Sequence, residues 1–292
     1  MQAKRLTGLG VAMTTPFSED FSIDFTSLQR HTEHLINGGV DYLVIMGTTG
    51  ENPTINIDDQ FEIFKRVKEY SEGRVPMVFG VGGNATQLVI DKVEKFNDYA
   101  DAYLVVSPYY NKPNEEGIIQ HYKNISEATN LPIILYNVPG RTASNLSVKL
   151  QLRLAEIENV IGVKEASGNV EQIMELARLA PEDFKIISGD DALTFPLIPL
   201  GVDGVISVIG NAYTKQMKQI VLMAKEEKIE AARYLHFKLL PMINALFADG
   251  NPGGIKVLLN EMGLMKNILR APLFHVNEKT DRLIRDLHKV IS

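Results

Sequence analysis

The sequence predicts an α/β protein, a closed (β/α)8 barrel of the TIM type with a C-terminal helical extension. Three observations carry that expectation. Eight short apolar runs, each ending in small or polar residues, recur along the chain. Their cores are continuous and rich in β-branched residues, which suits strands buried on both faces of a parallel sheet. Amphipathic segments with helical spacing separate them at intervals of roughly 25–30 residues, the pattern of βα units with right-handed crossovers.

The first run is LGVAMTT at 9–15, followed by VDYLVIMGTTG at 40–50, PMVFGVGG at 76–83 and DAYLVVSPYY at 101–110. The remaining four are PIILYNVPG at 132–140, VIGVKEASG at 160–168, FKIISGDD at 184–191 and VDGVISVIGN at 202–211. Between the second and third runs, Phe61, Phe64, Val67 and Lys68 fall near one helical face; Val89, Val93 and Phe96 form the next apolar stripe. Asp24, Asp58, Asn84, Asn114 and Ser147 are the expected N-caps. Eight units favour closure into a barrel over an open doubly wound sheet. Helical pattern then continues from about Thr214 to Ile291, interrupted by Gly250, Pro252 and Pro272. Closing the barrel takes one helix, so two or three remain. No low-complexity linker sets them apart, and the expected division is a barrel over 1–225 with an extension over 226–292 packed on it.

Composition narrows the function. At 292 residues the chain has room for one large domain or two medium ones. It contains no Cys, which excludes disulfides, thiolate metal sites and a cysteine nucleophile, and suits a reducing cytoplasm. Thirty Lys and Arg stand against 36 Asp and Glu, with no dense basic cluster, so nucleic acid is not an expected partner. The N-terminal stretch develops no signal-type apolar run, and nothing approaches the roughly 18 apolar residues of a membrane span. A soluble, cytoplasmic protein is expected.

A (β/α)8 barrel carries its chemistry where the strands end. Lys164 directly follows Val160-Ile161-Gly162-Val163, so the strand delivers it to the barrel mouth. Burial disfavours the charged form of an amine, and a neutral amine attacks a carbonyl to give a Schiff base. The competing reading is a rim ion pair with Glu165. Tyr136 ends the preceding strand, about 4.8 Å away, within reach of a Lys164 adduct as acid or base. Thr48 and Thr49 sit in a Gly-flanked loop whose hydroxyls and backbone N–H groups suit a carboxylate or a proton relay. Arg141 offers a guanidinium fork to a second carboxylate.

Other motifs lead away from cofactors. Gly80-Val81-Gly82-Gly83-Asn84-Ala85 spells a dinucleotide fingerprint, but that motif wants an acid ending the next strand. Here Asp101 begins that strand and Ser107 ends it. His31 and His34 share a helical face but have no ligands at strand ends to join them, so no metal is expected. Asp190 or Asp191 is expected to cap a helix rather than hold a cation.

Taken together, Gly47-Thr48-Thr49-Gly50-Glu51, Tyr109-Tyr110-Asn111-Lys112-Pro113, Tyr136-Asn137-Val138-Pro139-Gly140-Arg141-Thr142, Gly162-Val163-Lys164-Glu165-Ala166-Ser167-Gly168 and Ser188-Gly189-Asp190-Asp191 resemble the dihydrodipicolinate synthase family. The motifs run in order over essentially the whole chain. The wider class I aldolases, including N-acetylneuraminate lyase and 2-keto-3-deoxygluconate aldolase, share the barrel, the tyrosine and the lysine. The resemblance implies a lyase with no cofactor, in which Lys164 forms a Schiff base with pyruvate. The resulting enamine would attack L-aspartate 4-semialdehyde on the route to diaminopimelate and lysine. It also implies a proton relay of Tyr136, Thr48 and Tyr110, with Tyr110 reaching a neighbouring subunit of a homotetramer built as a dimer of dimers. Thr49 would bind the pyruvate carboxylate and Arg141 the semialdehyde carboxylate, with Gly189 and Ile206 flanking the Schiff base. Sialic-acid lyases usually lack the arginine after the Tyr-Asn-x-Pro motif, and a catalytically dead barrel would not need the intact set.

One departure concerns regulation. Lysine-sensitive family members tend to carry two histidines after the threonine loop and a glutamate after the Gly-Asn-Ala-Thr stretch. Ile57, Gln60 and Leu88 stand there, beside a retained Asn84 and Tyr109. An apolar side chain accepts no hydrogen bond from an ammonium, so weak or absent inhibition by lysine is expected.

Overall fold

A computed structural model describes residues 6–291. Its eight parallel strands are β1 (Gly8–Ala12), β2 (Tyr42–Ile45), β3 (Met77–Gly82), β4 (Ala102–Val106), β5 (Ile133–Asn137), β6 (Val160–Glu165), β7 (Lys185–Ser188) and β8 (Gly204–Ser207). Each pairs with the next, and β8 returns to β1 through Gly8↔Gly204 to Val11↔Ser207, closing the barrel. The open doubly wound alternative is thereby overturned. Seven strands fall within their predicted runs, and β1 starts one residue before its own.

The helices between strands are α1 (Phe25–Asn37), α2 (Ile57–Ser71), α3 (Thr86–Phe96), α4 (Glu115–Glu127), the single turn α5 (Pro139–Thr142), α6 (Val148–Leu154), α7 (Val170–Leu179) and α8 (Asp191–Leu197). After the barrel come α9 (Thr214–Lys225), α10 (Ile229–Phe247), α11 (Gly253–Glu261) and α12 (Glu278–Ile291).

Strand alternation sorts the core into two layers. Ala12, Tyr42, Val44, Val78, Leu104, Ile134, Tyr136, Ile187 and Ile206 fill the barrel interior. Leu9, Val11, Leu43, Ile45, Phe79, Val105 and Leu135 face outward to the helices. There Phe79 stacks on Phe96 at 3.8 Å, with Phe64 edge-on to both. The α3 stripe of Val89, Val93 and Phe96 is buried as expected. On α2 the buried apolar set is Ile63, Phe64 and Val67. Phe61 is half-buried, while Lys68 is exposed and donates to the Tyr99 carbonyl at 2.9 Å.

Asp24, Asn114 and Ser147 cap their helices by accepting from Ser27, Gly117 and Leu150 N–H groups. Two expected caps are corrected. Asn56, not Asp58, caps α2, because it sits one position before the first helical residue and accepts from Asp59 N–H. Asp58 lies in the first turn, where its charge suits the helix N-terminus and it pairs with Lys95. Asn84 does not cap α3 either; Ala85 occupies that position without a side-chain bond.

The terminal helices bend back over the barrel. α9 packs on β1, α10 on α8 and α9, and α12 on both α10 and α11. Gly250 and Pro252 fall in the break between α10 and α11, and Pro272 in the one between α11 and α12, as the sequence marks. At Gly254 a Cβ would lie 2.3 Å from the Leu246 carbonyl oxygen, so only glycine lets α11 approach α10 this closely. That approach brings residues 243–251 over the strand ends.

Candidate active site

A cavity of about 990 Å³ opens at the C-terminal ends of the strands. Six of the eight residues singled out above line it: Thr48, Thr49, Tyr136, Arg141, Lys164 and Gly189. The other two do not. Ile206 lies below the floor, buried in the interior layer with Ile187 and Tyr136. Tyr110 projects away, 89% exposed, from a residue held at φ 70°, and its neighbour Tyr109 takes the place at the cavity wall.

Lys164 and Tyr136 come together through register. They are direct partners on β6 and β5, and Lys164 Nζ lies 4.4 Å from the centre of the Tyr136 ring. Lys164 is only 6% exposed, yet among the described residues it makes no ion pair. The rim pair with Glu165 is therefore corrected, for a reason built into a strand: successive side chains leave opposite faces. Glu165 points outward into a buried cage of neutral donors. Asn137 reaches it at 2.9 and 3.1 Å, Gln151 at 2.9 Å, Gln172 at 3.2 Å and the Ser167 N–H at 2.8 Å. That carboxylate ties β5, β6, α6 and α7 together beneath the lysine.

Space around the lysine is kept by glycine. A Cβ on Gly189 would sit 3.0 Å from Lys164 Cε and 2.6 Å from Ala166 Cβ. Asp190 next to it caps α8 through Ala192 N–H at 2.9 Å, as expected of the Asp pair. Asp191 turns inward instead, accepting from the N–H groups of Val208 and Ile209 at 2.9 Å. Its burial raises the carboxyl above the usual range.

The threonine loop is one 3₁₀ turn, Thr48–Gly50, entered from Met46 at φ 61° and left through Glu51 at φ 58°. Two left-handed non-glycine residues around four others need support. Asn52 supplies it from outside, donating to the carbonyls of Met46 at 2.8 Å and Gly80 at 3.0 Å. Gly80 admits the loop, since a Cβ there would lie 2.6 Å from Met46 O. The fingerprint-like glycine run thus serves close packing of β3 against this loop.

Further contacts come from a region the sequence marked only as a break. Ile243, Asn244, Phe247 and Asn251 form the far wall of the cavity. Asn251 Nδ2 donates to Thr49 Oγ1 at 3.0 Å. Lys256 of α11 is fully buried against Glu51, also donates to the Ile268 carbonyl at 2.6 Å, and lies 4.3 Å from the centre of the Phe17 ring. Burial lowers the Lys256 ammonium to about 8, with Glu51 pulling the other way. The one signal for these contacts was Lys256, a charge in the otherwise apolar stretch Ile255–Leu259. Nothing in one chain links positions 205 residues apart.

His31 and His34 stack at 6.3 Å on α1. His31 is buried against Asn211 Oδ1 at 2.9 Å, which ties α1 to the turn after β8, while Asn211 Nδ2 donates to the Ala12 carbonyl of β1 at 2.8 Å. The role of His31 is packing and hydrogen bonding below the site.

Residues 5–290 match the model of the dihydrodipicolinate synthetase family. A curated relative from Parabacteroides distasonis, named 4-hydroxy-tetrahydrodipicolinate synthase, is 46% identical over 98% of this chain and 97% of its own. The dihydrodipicolinate synthase of Thermotoga maritima superposes with a TM-score of 0.95 at 41% identity, covering 98% of both chains. A chloride-inhibited dihydrodipicolinate synthase from Acinetobacter baumannii, solved in complex with pyruvate, superposes with a TM-score of 0.96 at 38% identity over 98% of this chain and 99% of that one. By the family model, by full-length identity and by fold, the chain belongs to the dihydrodipicolinate synthetase family.

Proposed function

We propose that the chain acts as a 4-hydroxy-tetrahydrodipicolinate synthase, condensing pyruvate with L-aspartate 4-semialdehyde through a Schiff base on Lys164. The observation that carries this is a buried lysine that pairs with no carboxylate among the described residues, in register with a tyrosine at the floor of a cavity at the strand ends. The Lys164 amine adds to the pyruvate C2 carbonyl and water leaves. Loss of a C3 proton gives the enamine, whose C3 attacks the semialdehyde aldehyde carbon. The semialdehyde amine then closes the ring on C2 and frees Lys164.

Tyr136 and Thr48 carry protons between these steps, and Tyr110 completes the relay from a second copy. Its 89% exposure on a left-handed residue supports a reach beyond its own chain, and with it the homotetramer. Thr49 takes the pyruvate carboxylate and Arg141, exposed at the cavity edge, the semialdehyde carboxylate. Gly189 leaves the adduct its room, and Ile206 backs the floor from below. The barrel over 1–225 supplies the chemistry and the extension over 226–292 the far wall. The reading includes a cytoplasmic location, which the cysteine-free composition suits.

Borohydride reduction with pyruvate, followed by peptide mass spectrometry, tests the nucleophile: the reduced adduct is expected on Lys164. Full activity in Lys164→Ala would overturn the mechanism. Turnover with aspartate semialdehyde but not with N-acetylmannosamine is the expected acceptor result.

A further inference from the structure

The hydrogen bond between Asn251 and Thr49 has a direction, and direction decides what a hydroxyl offers a ligand. An amide N–H only donates. Because Asn251 Nδ2 donates to Thr49 Oγ1 at 3.0 Å, that oxygen is an acceptor there, and its own proton is left for another partner. Among the described residues the Thr49 hydroxyl donates to none. Thr49 is 2% exposed and lines the cavity, so the remaining partner must be something within it. A hydroxyl proton free to donate into the cavity is what an anionic oxygen selects.

The chain around Asn251 is itself held. Asn251 is buried in the cavity wall, and five residues on, Lys256 grips Glu51 in a buried ion pair with no exposure on either side chain. The second Glu51 oxygen accepts from the Arg270 N–H at 3.0 Å. The stretch from 251 to 270 therefore clasps the threonine loop on both sides of Gly50, through one neutral contact at Thr49 and one ionic contact at Glu51.

We infer that Asn251 is a positioning residue, which fixes the Thr49 hydroxyl as a hydrogen-bond donor to the substrate carboxylate, so that the C-terminal extension tunes pyruvate binding without touching the reacting carbon. This rests on the assignment of Thr49 to the pyruvate carboxylate. Losing one oriented donor to a charged oxygen corresponds to roughly a tenfold change in affinity.

Steady-state kinetics of the full-length enzyme test it. Asn251→Ala is expected to raise the KM for pyruvate roughly tenfold while kcat and the KM for the semialdehyde stay within about twofold of wild type. Asn251→Asp can only accept, so it turns the Thr49 proton away from the cavity and is expected to raise that KM further. Thr49→Val should raise it as well, and Asn251→Ala on that background should add nothing, because the asparagine acts through the hydroxyl. A purely structural Asn251 would lower the unfolding midpoint and kcat and add its loss to that of Thr49→Val; that pattern, or an unchanged pyruvate KM in Asn251→Ala and Asn251→Asp, overturns the inference. An unchanged pyruvate KM in Thr49→Val strikes instead at the underlying carboxylate assignment.

Discussion

Tyr136 and Lys164 are opposed partners on adjacent strands, and the lysine amine lies 4.4 Å from the centre of the tyrosine ring. The ring is thus a platform as well as the carrier of a hydroxyl, and the two roles separate by mutation. Tyr136→Phe keeps the platform and removes the acid–base group. Turnover is expected to fall by about 10²–10⁴-fold, while borohydride still traps pyruvate on Lys164, more slowly. A variant with wild-type turnover would remove Tyr136 from the proton relay.

Arg141 has a different kind of effect. It stands on the single turn α5 at the cavity edge, exposed, and away from the Lys164–Tyr136 pair. Arg141→Ala is expected to raise the KM for the semialdehyde and depress condensation by at least about a hundredfold, as when a bidentate charged contact is lost. Pyruvate adduct formation on Lys164 should persist at the wild-type rate. Unchanged condensation kinetics would show that the second carboxylate is held elsewhere.

The barrel was legible because its signal is local and repeated eight times: a buried apolar run, a polar end, an amphipathic return. The strand-end residues followed from that, since Lys164 and Tyr136 are placed by their own strands and Thr48 by the turn just past β2. What stayed hidden was pairing across the chain. Glu165 looked like a partner for Lys164 because it is adjacent in sequence, whereas strand alternation sends it to the opposite face and into the Asn137, Gln151 and Gln172 cage. Asn251 and Lys256 read as part of a broken helix, and only the fold of α10 and α11 brings them to the threonine loop. The two misplaced helix caps are errors of two residues and one: at α2 Asn56 wins over Asp58, and at α3 no side chain caps at all.

Two histidines away from the active site make stability depend on pH. Burial pushes both His31 and His121 down to about 4 from an ordinary 6.5. A folded-state value below the unfolded one means that the unfolded chain binds more protons between pH 6.5 and 4, so stability falls as pH falls through that window. Each histidine accounts for about 2 kcal/mol between pH 7 and pH 5. His121 meets Thr86 through Nδ1 at 2.9 Å and buries an unpartnered Nε2. In His121→Leu, chemical denaturation at the two pH values should therefore show a smaller acid loss than wild type by that amount. Equal losses in the two proteins would mean that His121 keeps an ordinary affinity for protons in the fold.

Lysine feedback is the last case, and here the geometry strengthens the argument from residue type. Gln60 is the one polar side chain among the three substituted positions, yet it is buried and its amide nitrogen is already engaged by the carbonyls of Ile55 at 2.7 Å and Asn52 at 3.1 Å. Ile57 packs against the core and Leu88 is an exposed hydrocarbon. None of the three supplies a carboxylate, and the one amide oxygen among them, Gln60 Oε1, is buried and not presented to a ligand; desolvating an ammonium without an acceptor is unfavourable. The condensation rate is expected to be unchanged at millimolar lysine. Leu88→Glu combined with Ile57→His and Gln60→His restores the missing acceptors, and it should make the rate lysine-dependent if the remaining wall, Asn84 and Tyr109, is still shaped for the amino acid. Micromolar inhibition of the wild-type enzyme would instead place the lysine-binding groups outside these positions.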